Sequence, residues 1–262
     1  MERQYSDKYV AFIDILGFKA ILDKEGEDAS RISRLFDTIV KCKEEILKKI
    51  RYTHKRNPIR SIKEAYAKEK DDADLFQCYD AALDDMVIKV VSDSIILAVP
   101  AKDDFGFTVI VDACSYIAQQ LLDFEDGYFV RGAIVRGQMY FEDENVFFGE
   151  AYIKAYTLEE HSCLYPRIIY DYYNWDDYPY ADSFGRTYTS SDDDGWGDIC
   201  YVANYLGIRD DCWLEQREKR LIGIIEREIS SNPTNPEVCA KYRWVKTQIE
   251  RAHEYVLVRQ SL

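Results

Sequence analysis

Histidine is scarce in this chain of 262 residues: the three present, His54, His161 and His253, are widely separated and form no metal-binding cluster. Cysteine is better represented but has no pattern. The seven, at positions 42, 78, 114, 163, 200, 212 and 239, are odd in number and include no C-x-x-C pair, so they read as reduced thiols, not as disulfides or a zinc site. Positive charge falls short of negative, with 34 Lys and Arg against 48 Asp and Glu and a net charge of −14. That balance disfavours wholesale binding to a DNA or RNA backbone, while leaving room for a local basic pocket that holds one nucleotide. No apolar run approaches 18 residues and the N-terminus lacks a signal-peptide pattern, so the expectation is a cytoplasmic protein without a membrane partner. Internal repeats and low-complexity linkers are absent. So is any Ser/His/Asp or Cys/His constellation, which argues against a side-chain nucleophile.

What is present is a sizeable apolar fraction, 47% of residues, enough for the core of one large domain or of a domain with an appendage. Two stretches stand out within it. Phe12-Ile13-Asp14-Ile15-Leu16-Gly17-Phe18 and Val90-Val91-Ser92-Asp93-Ser94-Ile95-Ile96-Leu97 each place one Asp where an apolar strand breaks off. An Asp after a strand commonly serves as a turn residue or helix cap. Two at neighbouring strand ends would instead offer oxygen ligands to a hard cation such as Mg²⁺ or Mn²⁺, which keeps coordination places open for substrate phosphates. They lie 79 positions apart, so only a fold that brings the strands together can pair them. In the turn after Asp14, Gly17 is free to adopt a left-handed backbone, and the N–H groups of Ile15, Leu16, Gly17 and Phe18 could then converge on a phosphate chain. Ile15 and Phe18 would anchor that turn in the core.

In chain order, the pattern predicts a doubly buried strand over Tyr9 to Ile13. A core-facing helix follows, with Ile32, Leu35, Phe36, Ile39, Val40, Ile46, Leu47 and Ile50 at helical spacing and Ser30 as cap. Residues 51–85 lose periodicity and gather charge, which reads as an insertion or projecting arm. Met86 to Val91 and Ser94 to Val99 form a strand pair bent at Ser92-Asp93. A second helix runs from Phe107 to Leu122. Phe129 to Arg136 and Gln138 to Phe141 read as a further strand pair, with Gly132 and Gly137 marking close approaches or a bulge. A helix from Gly149 to Glu160, a strand over Arg167 to Tyr170, an Asp/Tyr-rich loop at 171–197 and a strand over Ile199 to Val202 come next. The tail is helical over Leu214 to Ile229 and Glu237 to Val256. This order predicts an α+β, ferredoxin-like sandwich with helices covering one face of a mostly antiparallel sheet.

Four stretches carry a resemblance: Phe12-x-Asp14-Ile15-x-Gly17-Phe18, Lys89-x-x-Ser92-Asp93, Arg131 through Gly137, and Gly149-Glu150-Ala151 through Leu158-Glu159. In order and element type they resemble the motif series of class III nucleotidyl cyclases, over about Tyr9 to Glu160. With the long charged insertion, the chain is similar to the pyrimidine nucleotide cyclases of bacterial Pycsar anti-phage systems. The resemblance implies a catalytic domain over 1–205 and a helical C-terminal extension over 206–262. It implies conversion of UTP to 3′,5′-cyclic UMP and pyrophosphate, a homodimer with composite sites, and a separate effector that responds to the product. It also implies two Mn²⁺ or Mg²⁺ ions per site, held by Asp14, Ile15 and Asp93, with the turn from Ile15 to Phe18, Lys89 and Tyr79 around the nucleotide. Arg131 and Lys154 are the candidate cations for the transition state, with Arg136 a third; Tyr152 and Phe148 are further candidates beside the base. The chain departs from the purine-cyclase pattern at Val146, where an Asp reads the base, and at Ile153 and Thr157, where an Asn and an Arg stand. The other readings are a cytidylate cyclase acting on CTP, a purine cyclase, and a catalytically silent nucleotide sensor. RNA binding on the sheet is disfavoured by its aliphatic strands and the acidic chain.

Overall fold

The computed structural model describes residues 5–18, 30, 32–41, 45, 48, 72–101, 105–124, 127–142, 146–171, 189–191, 195–199, 201–206 and 211–260. The first strand, β1 (Ser6–Ile15), is followed by a helical stretch, α1 (residues 32–41), and by α2 (Asp72–Asp84). The hairpin β2 (Val87–Val91) and β3 (Ser94–Pro100), helix α3 (Phe105–Asp123) and strand β4 (Val130–Glu142) complete the central unit. Beyond it come β5 (Val146–Gly149), α4 (Glu150–Ser162), β6 (Ile168–Asp171), β7 (Thr189–Ser191) and β8 (Trp196–Ile199). Three helices close the chain: α5 (Tyr201–Leu206), α6 (Asp211–Ser231) and α7 (Pro236–Gln260).

The strands form one sheet in the order β2-β3-β1-β4-β6-β8-β7, with β5 paired to β4 off this path. Every pairing is antiparallel except β4 with β6. The inner order β2-β3-β1-β4, with helices between β1 and β2 and between β3 and β4, is the ferredoxin-like α+β arrangement read from the sequence. Strand alternation divides the core. Ala11, Ile13 and Ile15 of β1 point into the larger cluster with α3, whereas Val10 and Phe12 point to the other face, where Ala151 and Ala155 of α4 pack. Helices therefore lie on both faces, because the small residues of α4 let it seat closely against β1 and β4. The sequence had placed them on one.

Other elements differ from expectation for local reasons. Residues 72–84, assigned to a projecting arm, form α2, whose Tyr79, Ala82 and Leu83 are buried in the α3 layer. Phe129 to Phe141 is no hairpin but one long strand, since its true partner, β5, begins after residue 145. Gly132 is needed there because a Cβ would lie 2.6 Å from the Phe12 carbonyl oxygen of β1. Tyr201 and Val202, read as strand, open α5. Val40 is exposed rather than core-facing, and residue 30 is already helical instead of a cap; Ile46, Leu47 and Ile50 lie outside the described residues. The tail packs into the main core through Leu221, Ile224 and Ile225 of α6 and Val245, Ile249 and Ala252 of α7. Helix α3 is long and apolar enough to cross a membrane, but most of it is buried inside the fold. Cys78, Cys114, Cys163 and Cys239 are free thiols.

Candidate active site

The two Asp stretches meet at the end of the β3-β1-β4 ladder. Asp14 lies opposite Ser94 on one side and Arg131 on the other, and the Ile15 N–H donates to the Asp93 carbonyl oxygen at 3.0 Å. The β2–β3 turn that holds Asp93 is tight, with Ser92 at φ 57°, a left-handed conformation that a non-glycine residue adopts at a cost. Its shape sets Asp93 beside Asp14 closely enough for their charges to interact. Burial pushes the Asp14 carboxyl above its usual range, the charge and hydrogen bond of Arg131 pull it back, Asp93 raises it again, and Lys241 of α7 lowers it.

Arg131 is the hub of this group. Its Nε donates to Asp14 Oδ2 at 3.2 Å and lies 2.6 Å from Glu159 Oε1, an ion contact whose angle falls short of a hydrogen bond. Glu159 is only 2% exposed. Burial is the main reason its carboxyl is pushed up to about 7, against the pull of Arg131 and with Asp14 adding to the rise. Arg131, expected as a transition-state cation, is thus engaged by two carboxylates within its own chain.

The turn after Asp14 is only partly as expected. Gly17 has a φ of 79°, and among the described residues nothing would lie within 4 Å of a Cβ there, so the turn is open on that side to the extent they define it. Ile15 and Phe18 are buried, the latter edge-on to Phe36. The Ile15 N–H is spent on Asp93, and the Leu16 N–H donates to the Phe129 carbonyl oxygen at 3.0 Å. A four-amide phosphate cradle from Ile15 to Phe18 is therefore corrected: its first two donors are used to tie the turn to β3 and β4.

Lys89 sits at a register position opposite Ile96, which pairs with Phe12, so it shares the sheet face of Asp14. Tyr152 is on that face too, edge-on to Phe12. Tyr79 is not. It belongs to the α3 layer across the sheet, is 3% exposed, and donates its hydroxyl to Asp112 at 2.9 Å, so the expectation that it borders a nucleotide is overturned by its place in the core. Phe148 pairs with Tyr140, nine residues along β4 from Arg131, about 30 Å away by strand rise. Lys154 projects from the exposed side of α4, beside exposed Ile153 and Thr157, and pairs with Glu150 one turn earlier. The structure does not bring it to Asp14 within one chain. Arg136 is likewise engaged elsewhere, with Asp7 at 2.7 Å.

Two residues of the cluster were missed from sequence. Glu159 had a signal: it continues the inward stripe of Ala151 and Ala155 at four-residue spacing, a carboxylate on an otherwise apolar line. Lys241 had none. Its position follows from the docking of α7, where Tyr242 packs edge-on to Phe129 and Trp244 stacks on Tyr165.

The donor chemistry suits a hard divalent cation. Asp14 and Asp93 would offer carboxylate oxygens, mutually repelling and partly desolvated, a repulsion that a cation would relieve, and two carboxylates would leave coordination places for phosphate. Among the described residues there is no group of three or more His, Cys, Asp or Glu placed to enclose a metal ion.

No family model matches the chain, and no curated protein matches it. Among solved structures, it is similar to the adenylyl cyclase CyaB from P. aeruginosa at 14% identity, over 67% of this chain and 82% of that one, with a TM-score of 0.38. It is also similar to the catalytic core of a rhodopsin-guanylyl cyclase with converted specificity in complex with ATPalphaS, at 15% identity over 74% and 96% of the two chains, with a TM-score of 0.41.

Proposed function

We propose that the protein is a nucleotidyl cyclase that converts a pyrimidine nucleoside triphosphate, UTP, to its 3′,5′-cyclic monophosphate and pyrophosphate, in a homodimer with composite sites. The observation that carries the reading is the juxtaposition of Asp14 and Asp93, far apart in sequence, at one end of a ferredoxin-like sheet. Asp14 and Asp93 would hold Mn²⁺ or Mg²⁺, with the Ile15 backbone beside them. When bound, such ions lower the pKa of the ribose 3′-hydroxyl and offset charge on the leaving pyrophosphate. The substrate supplies both reacting atoms, so the chain's own work is to orient them. The open turn at Gly17 leaves room for the triphosphate, and Lys89 and Tyr152 share the face on which the base would lie. Lys154 and the other exposed residues of α4 would act on a partner's site, since they are turned away from the site of their own chain. The Pycsar-like motifs support the pyrimidine base and a role in anti-phage signalling through a separate effector.

Incubating the purified protein with each of the four nucleoside triphosphates and Mn²⁺ or Mg²⁺, and resolving products by mass spectrometry, tests this directly. Cyclic UMP is the expected product. Cyclic CMP would move the base to cytosine, a cyclic purine nucleotide would overturn the pyrimidine reading, and no product would favour a silent sensor. Asp14→Ala or Asp93→Ala should each lower turnover at least about a hundredfold. Full activity in either variant would end the metal assignment.

A further inference from the structure

The arrangement around Arg131 poses a conflict. Asp14 is both the carboxylate best placed for a cation and the acceptor of the Arg131 Nε–H. A guanidinium and a divalent cation compete for the same oxygens, and Arg131 cannot withdraw far, because the β1–β4 register fixes it directly across from Asp14. Among the described residues it has one other carboxylate in contact. Glu159 Oε1 is nearer to Nε than Asp14 is, at 2.6 Å against 3.2 Å, yet the N–H is aimed at Asp14. Only a small reorientation separates the two partners.

Glu159 also has little other reason to be where it is. It occupies the inward stripe of α4 otherwise filled by Ala151 and Ala155, and burying a carboxylate there is costly unless a cation compensates. We infer that Glu159 is a positioning residue that retains the Arg131 guanidinium, which it already contacts at 2.6 Å, when a divalent cation takes over Asp14, so that Arg131 passes from sharing two carboxylates in the metal-free site to pairing with α4 alone. The inference rests on the metal-binding role proposed for Asp14 and Asp93. It assigns to Glu159 no contact with substrate or metal; its effect passes through Arg131. The other charged groups near this pair are Asp93, Glu160 and Lys241, and none of them offers Arg131 a second contact as close.

The test is Mn²⁺ affinity, measured by calorimetry at pH 8 on the full-length protein without nucleotide, for wild type, Glu159→Gln, Arg131→Gln and the double variant. Glu159→Gln should weaken Mn²⁺ binding about tenfold, as removal of a residue that positions a metal site's surroundings does. Arg131→Gln should tighten it, and in that background Glu159→Gln should change affinity less than about twofold. If Glu159 acted only by its charge across space, its substitution would cost the same factor with or without Arg131, and the inference would fail while the metal assignment survived. Unchanged affinity in Glu159→Gln would have the same effect. Should Glu159→Gln not fold, Arg131→Gln decides alone: weaker binding there overturns the inference. Absence of Mn²⁺ binding to the wild type would remove the metal reading of Asp14 and Asp93, and the inference with it.

Discussion

Glu159 makes a stability prediction of its own. Its carboxyl is raised from an ordinary 4.5 to about 7 in the fold, so between those values the native state binds more protons than the unfolded chain. The contribution is therefore fully present below about pH 4.5 and is lost as pH rises toward 7, on the order of 3 kcal/mol in total. Urea unfolding at pH 5 and pH 7.5 should show a larger drop in stability for wild type than for Glu159→Gln; equal drops would mean the carboxyl is not buried as described. The same residue explains a limit of sequence reading. The motif containing Glu159 was visible, but a Glu on a helix is usually solvated, and only the packing of α4 on β1 and β4 makes it a buried partner of Arg131. Tyr79 differs in the opposite direction: the resemblance put it around the nucleotide, whereas α2 turns it into the core.

The β2–β3 hairpin shows what an element contributes to the site. Its two-residue turn was legible as Ser92-Asp93 between two apolar runs, yet the left-handed Ser92 was not, since Gly or Asn would be the usual choice there. Ser92→Gly should relieve that conformation and raise stability by about 0.5–1 kcal/mol net of the added backbone freedom, read as a higher melting temperature. A lower one would mean that the Ser92 side chain holds the turn. Helix α3 was also legible, from its apolar spacing and the glycine at 127 that follows it, but not the side chain that caps it. Arg220 of α6 donates to the carbonyl oxygens of Leu122 and Asp123, at 3.3 and 3.1 Å, and to that of Phe124, capping the end of α3 from about a hundred residues downstream. Val130 is tied similarly, with the Tyr201 hydroxyl donating to its carbonyl oxygen at 2.9 Å just before Arg131.

At the scale of the whole molecule, α6 and α7 belong to the same apolar cluster as the sheet. Large buried side chains such as Leu221, Ile224, Val245 and Ile249 each contribute about 1.5–3 kcal/mol, so a chain ending at Leu206 would expose more apolar surface than a marginally stable fold tolerates. Such a truncation should lose cooperative thermal unfolding; a soluble, cooperatively melting product would make the tail a separable appendage. By itself the sequence determined the α+β class, the central strand and helix order, and the two Asp positions, because period-two and helical apolar spacing and turn chemistry are written into neighbouring residues. Tertiary structure alone decided that α4 crosses to the second face, that Arg131 lies between Asp14 and Glu159, and that the charge of Lys241 on α7 is felt by the same carboxylates. These depend on strand register and helix docking between segments up to 227 positions apart, from Asp14 to Lys241, for which no local pattern exists.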